Sequence, residues 1–242
     1  MLTIVGNGKS RTNFDLNTLE RWWGCNAVYR EGYTPELLFA MDIPMQADIF
    51  EFGYHKENKV CVGDWEVLEI SMLDMMVDGF QWSHDKDKIR IDRHEDDTHF
   101  VCQGNGQYVD FLGFSSLHRH NIVMYKNLLL KNLFTGMSAL GYALENGEKE
   151  VALFGFDALE SGNVSNIFEG TKHYPHKYTE ESRVLNAQRS QLIALLEHFK
   201  DRKIYFQKSL DDFEEIDYTG LDYYESSDRW ILGFGLESDT MQ

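Results

Sequence analysis

The chain is poor in proline and cysteine, and it has no long apolar run. Its three prolines leave no obvious linker, and its three cysteines (Cys25, Cys61 and Cys102) form no Cys-x-x-Cys pair. This usage is typical of reduced thiols rather than of a disulfide framework. No apolar run approaches the roughly 18 residues of a membrane span, and residues 6–11 interrupt any signal-peptide pattern. We therefore expect a cytoplasmic protein with no membrane span.

Basic residues are also scarce. The chain has 23 Lys and Arg against 40 Asp and Glu, a formal net charge of −17. Binding to nucleic-acid phosphates needs a basic surface, so we expect no nucleic-acid partner. Residues 210–242 hold ten acids and one base, Arg229. We predict one domain over residues 1–209, followed by an acidic, aromatic-containing C-terminal extension over residues 210–242.

Apolar runs and turn residues predict a chain of strands and helices. Strands are predicted at residues 2–5, 25–29, 37–41, 151–156 and 203–206, and helices at 44–53, 135–147 and 180–199. The order strand, helix, strand, helix, strand in the second half favours an α/β fold with a mostly parallel sheet flanked by helices. Residues 59–114 are rich in alternating segments (88–92, 99–102 and 108–114) with a turn at 104–106, and 66–77 could be helical.

A glycine turn follows the first strand, with the sequence Gly6-Asn7-Gly8-Lys9-Ser10. Glycines permit backbone angles and close approaches that a Cβ would block. The asparagine and serine offer hydrogen-bonding groups at the carboxyl end of the strand, where open α/β sheets bind ligands. The turn is neither a Walker A loop nor a full Gly-x-Gly-x-x-Gly fingerprint, so neither a triphosphate nor a dinucleotide is implied. A turn that binds nothing is the alternative.

Three further features follow in order. Cys25-Asn26 lies in the second predicted strand, Thr135-Gly136 begins a helix, and Gly155-Phe156-Asp157 ends a strand. With the glycine turn they resemble the bacterial sialyltransferases of the Rossmann-like, single-domain type found in lipo-oligosaccharide synthesis. The resemblance covers about residues 1–30 and 130–200. It implies transfer of sialic acid or a related sugar from a CMP-activated donor to a glycan acceptor, by metal-independent inverting displacement and without a cofactor.

The resemblance also implies which residues bind the substrate. The phosphate and ribose would contact the glycine turn, the start of the helix would face an anion, and Gly155, at the end of the predicted strand 151–156, would let the cytidine approach the backbone. The implied substrate-binding residues are Asn7, Gly8, Ser10, Asn26, Asp42, Thr135, Gly136, Gly155 and Asp157. Asp42 stands where the family more often has asparagine. Alternatively, Asn26, Asp42 and Asp157 only cap strands and turns.

Histidine suits the base that activates the acceptor hydroxyl, because its pKa lies near neutrality. Residues 172–178 precede the long helix, as the catalytic histidine segment of the family does. His176 is the better candidate and His173 the second. Where the family has two tyrosines that stabilise the leaving phosphate, this chain has Leu159 and Asn166. Tyr174, Tyr178 or Lys172 could act instead, and the catalytic candidates are His176, His173, Tyr174 and Tyr178.

Other sequence patterns give weaker evidence of a functional site. The acidic or histidine-rich segments 85–87, 94–99 and 118–120 are best interpreted as solvated loops, so we expect no metal site. Two other functions remain open: a nucleotide- or pterin-handling pyrophosphokinase-like enzyme, with Asp42 and Asp157 serving magnesium, and a non-catalytic binding protein on the same fold. Self-association into a homo-oligomer is also open.

Overall fold

The computed structural model describes residues 1–63, 121–125, 133–174 and 181–217, and the backbone of the strands between residues 68 and 114. Among these residues the α-helices are α1 (Ile43–Glu51), α2 (Thr135–Glu145), α3 (Asp157–Ser161) and α4 (Glu181–His198). The strands are β1 (Leu2–Val5), β2 (Trp22–Cys25), β3 (Leu37–Ala40), β4 (Val60–Gly63), β5 (Leu68–Glu69), β6 (Gln81–Asp85), β7 (Lys88–Asp92), β8 (His99–Gly104), β9 (Tyr108–Phe114), β10 (Ile122–Tyr125), β11 (Glu150–Phe154), β12 (Lys203–Gln207) and β13 (Phe213–Glu215).

The chain forms two compact units. The first contains residues 1–35 and the described residues from 133 onward, and it holds the strand order β2-β1-β11-β12-β13. Its strands pair in parallel except β13, which runs antiparallel to β12. Part of the acidic C-terminal segment therefore belongs to the sheet. All four residues of β1 are buried, as expected of a parallel strand covered on both faces.

Helix α2 packs on β1 and β2, and it also contacts α4. Its buried residues include Ser138, Ala139, Gly141 and Ala143, whose small side chains let the helix backbone lie close to its neighbours. The helix ends before Gly147, which has a φ of +91° and donates its N–H to the Leu144 carbonyl over 3.1 Å. Glycine is the favoured residue at such a left-handed stop.

The second unit holds the described residues between 36 and 126. Its strands β10, β4 and β3 are parallel neighbours in that order, and α1 packs beside β3. A separate antiparallel sheet has the order β5-β9-β8-β7-β6. The alternating segments at 88–92, 99–102 and 108–114 are strands, as predicted.

The α/β class and the Rossmann-like, mostly parallel sheet flanked by helices are confirmed. Two local predictions are wrong. The second strand is Trp22–Cys25 rather than 25–29, because Asn26 adopts a left-handed φ of +53° that ends the strand and begins a 3-10 helix, Asn26–Glu31. Leu68–Glu69 is a strand paired with β9, not part of a helix over 66–77.

Candidate functional site

The glycine turn after β1 packs against the end of β11. The Gly6 amide donates to the Phe154 carbonyl and the Gly8 amide to the Gly155 carbonyl, each over 2.8 Å. A Cβ on Gly6 would lie 2.5 Å from the Gly155 oxygen, and one on Gly8 would lie 2.7 Å from it. These glycines are therefore needed so that the two neighbouring strand ends can approach each other, whether or not a ligand binds.

Ser10 and Asp157 pair with each other. Asp157 is 5% exposed, and its carboxylate accepts the Ser10 amide over 2.8 Å and the Ser10 hydroxyl in a short contact. A Cβ on Gly8 would overlap this carboxylate. The family resemblance implied that both residues bind substrate, and the structure pairs them with each other across the turn.

A buried arginine lies beneath the turn. Arg11 is 2% exposed; its Nε donates to the Gly6 carbonyl over 2.6 Å and its terminal nitrogen pairs with Glu31 over 2.7 Å. Gly155 has a φ of +71°, and a Cβ there would lie 3.0 Å from the Arg11 side chain. The guanidinium thus ties the end of β1 to the 3-10 helix Asn26–Glu31, while the aliphatic part of the side chain leaves no room for a Cβ on Gly155.

Cys25, the last residue of β2, has a buried thiol. Burial raises its pKa to about 12, and the positive charge of Arg11 opposes that shift. A thiol with so high a pKa stays protonated near neutral pH and is a poor nucleophile. Cys25 is therefore a packing residue of this edge.

Two asparagines follow the adjacent parallel strands β1 and β2. The register pairs Val5 with Gly24, so Asn7 and Asn26 each lie two residues beyond a paired position. Among the described residues, neither Asn7 Oδ1 nor Asn26 Oδ1 has a hydrogen-bond partner, although both atoms are buried. Leaving a buried acceptor unsatisfied costs about 1–3 kcal/mol, and such groups in a folded protein need an explanation. A ligand that offers N–H or O–H donors would supply one.

The segment from Asn166 to Tyr174 covers the glycine turn. Gly8 forms an isolated bridge with Asn166, and the Ile167 amide donates to the Asn7 carbonyl over 2.9 Å. The Asn7 amide group donates to the Tyr174 hydroxyl over 3.0 Å. Tyr174 is 8% exposed, so its phenol oxygen is held against the end of β1 by a largely buried ring.

Arg30 joins this segment to the 3-10 helix. Its guanidinium carbon lies 5.9 Å from the Tyr174 ring centroid and 6.0 Å from that of Tyr29, and it donates to the Lys172 carbonyl over 3.1 Å. His173, next to Tyr174, is exposed and has a φ of +70°. A positive φ is uncommon in residues other than glycine.

The start of α2 lies beside the end of β11. Thr135 is the first residue of the helix and is buried, and a Cβ on Gly136 would overlap the Phe156 ring. The preceding amide, that of Phe134, donates to Gln191 Oε1 over 3.0 Å. The first unit therefore brings Thr135 and Gly136 to the strand end that carries the Gly155–Asp157 turn.

Asp42 belongs to the second unit and directly precedes α1. Its carbonyl accepts the amides of Met45 and Gln46, each over 3.0 Å. Surrounding protein atoms partly withdraw its carboxyl from water, which raises its pKa above the usual value. His176 and Tyr178 lie outside the described residues.

The sequence did not single out Arg11 or Arg30. Arg11 directly follows the Gly-Asn-Gly-Lys-Ser turn, and Arg30 follows Asn26 by four residues, but neither spacing reveals a long-range partner.

Searches of protein-family models, curated proteins and solved structures gave no match to this chain. The described residues contain no cluster of three or more histidine, cysteine or acidic side chains that could hold a metal. No helix in the described ranges is both long and apolar enough to cross a membrane.

Proposed function

We propose that the protein is a glycosyltransferase-like enzyme that binds a CMP-activated sugar at the carboxyl ends of β1, β2 and β11. The observation that supports this most directly is the pair of buried, unpartnered acceptors, Asn7 Oδ1 and Asn26 Oδ1, at adjacent strand ends. Open α/β sheets bind ligands at this edge. The sugar is sialic acid or a related one, and the acceptor is a glycan.

The chemistry of the site suits a nucleoside monophosphate. The exocyclic amine of cytosine and the ribose hydroxyls are donors, which the acceptors of Asn7 and Asn26 need. The phosphate needs donors in turn. We assign these donors to the Tyr174 phenol, whose oxygen accepts from the Asn7 amide, and to the first N–H groups of α2, where an anion is favoured.

The proposed reaction is a direct displacement. The acceptor hydroxyl attacks the anomeric carbon; the new C–O bond forms as the bond from that carbon to the phosphate oxygen breaks. The electron pair leaves with CMP, and the hydroxyl proton passes to a histidine that acts as the base. His176 is the first candidate for this base and His173 is the second. Attack opposite the leaving group inverts the anomeric centre.

Tyr174 is our candidate for stabilising the leaving phosphate. Leu159 lies buried in α3, and the Asn166 side chain accepts the Phe168 amide over 2.9 Å, so neither position supplies a phenol. Tyr174 supplies a phenol from a later part of the segment that follows α3. Donors already in place for developing negative charge are an effective form of catalysis, and a monophosphate leaving group then needs no metal.

A thermal-shift screen of nucleotides, with and without magnesium, tests this proposal. A ligand at 100 times its dissociation constant stabilises the folded state by about 2.7 kcal/mol. We expect CMP to stabilise the wild type without magnesium. Asn26→Gly removes the acceptor and keeps the positive φ, so it should lose this shift. Asn13→Gly is the matched control, because Asn13 also has a positive φ, +68°, and lies outside the site.

Turnover is followed as CMP release from CMP-sialic acid in the presence of EDTA. Failure of CMP to stabilise the protein would contradict the proposal, and failure of every cytidine, uridine and adenosine nucleotide would favour a non-catalytic binding protein. Binding or turnover that strictly requires magnesium would instead favour the pyrophosphokinase-like alternative.

A further inference from the structure

We propose that Arg30 is a positioning residue that holds Tyr174 in the ligand site. The role is defined by contacts within the first unit, and only the identity of the ligand rests on the proposed function. Arg30 belongs to the 3-10 helix that begins with Asn26. The element that presents the Asn26 acceptor therefore also fixes the phenol.

The Arg30 guanidinium lies against two aromatic rings. It is 6.0 Å from the Tyr29 ring centroid and 5.9 Å from that of Tyr174, within the distance at which a cation is attracted to a ring face. Tyr29 is buried in the same 3-10 helix. The guanidinium thus links a fixed ring of the helix to the ring whose hydroxyl meets Asn7.

The same guanidinium also donates hydrogen bonds to the chain just before Tyr174. One terminal nitrogen donates to the Lys172 carbonyl over 3.1 Å and to the Thr171 hydroxyl oxygen over 3.4 Å. A planar guanidinium can donate hydrogen bonds from its edge while its face stacks on a ring, which a lysine ammonium cannot do. A lysine, which keeps only the positive charge, therefore cannot replace Arg30.

The segment held by Arg30 closes on itself. The Gly170 amide donates to the Tyr174 carbonyl over 2.8 Å, and the Tyr174 amide donates to the Thr171 carbonyl over 2.9 Å. Phe168 contacts the Tyr174 ring, with centroids 5.6 Å apart. Loss of Arg30 would remove one of the supports that align the phenol, and small misplacements of such groups cost large factors in rate.

A double-mutant cycle tests whether Arg30 acts through Tyr174. The probe is CMP, and its affinity is measured by calorimetry for Arg30→Met, Tyr174→Phe and the double variant. Both single variants should weaken binding by about tenfold, and the double variant should bind no more than about twofold worse than Tyr174→Phe. Arg30→Lys should resemble Arg30→Met. Arg21→Met, which removes an exposed arginine paired with Glu148, is the control with unchanged affinity.

The positioning role of Arg30 would be overturned if the two losses of CMP affinity multiplied in the double variant, or if Arg30→Met bound CMP as tightly as the wild type. Amide hydrogen exchange gives a readout that needs no ligand. In Arg30→Met the amides of Gly170 and Tyr174 should exchange about fivefold faster or more, while those of α2 stay unchanged. Unchanged exchange at these two amides would also overturn the role. A wild type that fails to bind CMP refutes the proposed function, and the exchange experiment still decides the role of Arg30.

Discussion

The side-chain amide of Asn7 donates a hydrogen bond of 3.0 Å to the hydroxyl of Tyr174, across a separation of 167 residues. This contact joins the turn after the first strand to the segment that precedes the long helix α4. It places a phenol beside a buried asparagine oxygen that has no partner among the described residues. The arrangement leaves a buried acceptor, Asn7 Oδ1, next to a phenol at the carboxyl edge of the sheet.

Replacing Tyr174 with phenylalanine tests this contact. The Asn7 amide loses its acceptor, so we expect the free energy of unfolding to fall by about 1 kcal/mol. If Tyr174 contacts the phosphate as proposed, the affinity for CMP should fall by about tenfold. Urea unfolding and calorimetry measure the two effects. Tyr33→Phe is the control, since its ring contact with Trp22 at 6.4 Å survives; equal losses in both variants would contradict the prediction.

The two histidine candidates should behave differently. His176→Ala should lower the rate of CMP release by about 10²–10⁴, the usual contribution of a general base. His173→Gly should leave that rate within about twofold. A His176→Ala protein with undiminished turnover would refute the assignment of the base.

Arg11→Met should destabilise the protein by about 3 kcal/mol. The substitution removes the partner of the Gly6 carbonyl and of the Glu31 carboxylate. The expected loss of stability lies at the low end of the range for breaking a buried ion pair, because Glu31 reaches solvent. Arg21→Met removes an exposed ion pair with Glu148 and should cost at most about 1 kcal/mol. Urea unfolding compares the two variants, and similar losses would show that Arg11 does not anchor the strand ends.

The buried thiol of Cys25 predicts a dependence of stability on pH. Its folded-state pKa is raised from 9.0 to about 12, so the folded protein keeps the proton where the unfolded chain loses it. The resulting stability is fully present below pH 9.0 and is lost as pH rises toward 12. The wild type should therefore lose its stability advantage over Cys25→Ala as pH rises above 9.0, by up to about 1.4 kcal/mol per pH unit. A difference that does not change with pH would contradict this.

The sequence predicted most of the first unit because its signals are local. Apolar runs located β1, β11 and β12, and the apolar pattern of residues 180–199 located α4. The glycine turn was placed correctly at the carboxyl end of β1, a position that follows from strand direction. The second strand was predicted three residues too late, because the left-handed conformation of Asn26 is not visible in an apolar pattern.

Only the tertiary structure decided which side chains meet. Ser10 and Asp157 pair across 147 residues, and Asn7 and Tyr174 across 167. Arg30 meets Tyr174 although no spacing relates them. Hydrophobic periodicity reports which face of an element is buried, because that depends on nearby residues alone. Hydrogen bonds and stacked rings depend on how distant segments are brought to one edge of the sheet. The sequence by itself therefore determined that the glycine turn lies at the carboxyl end of β1, and only the tertiary structure decided which side chains meet it there.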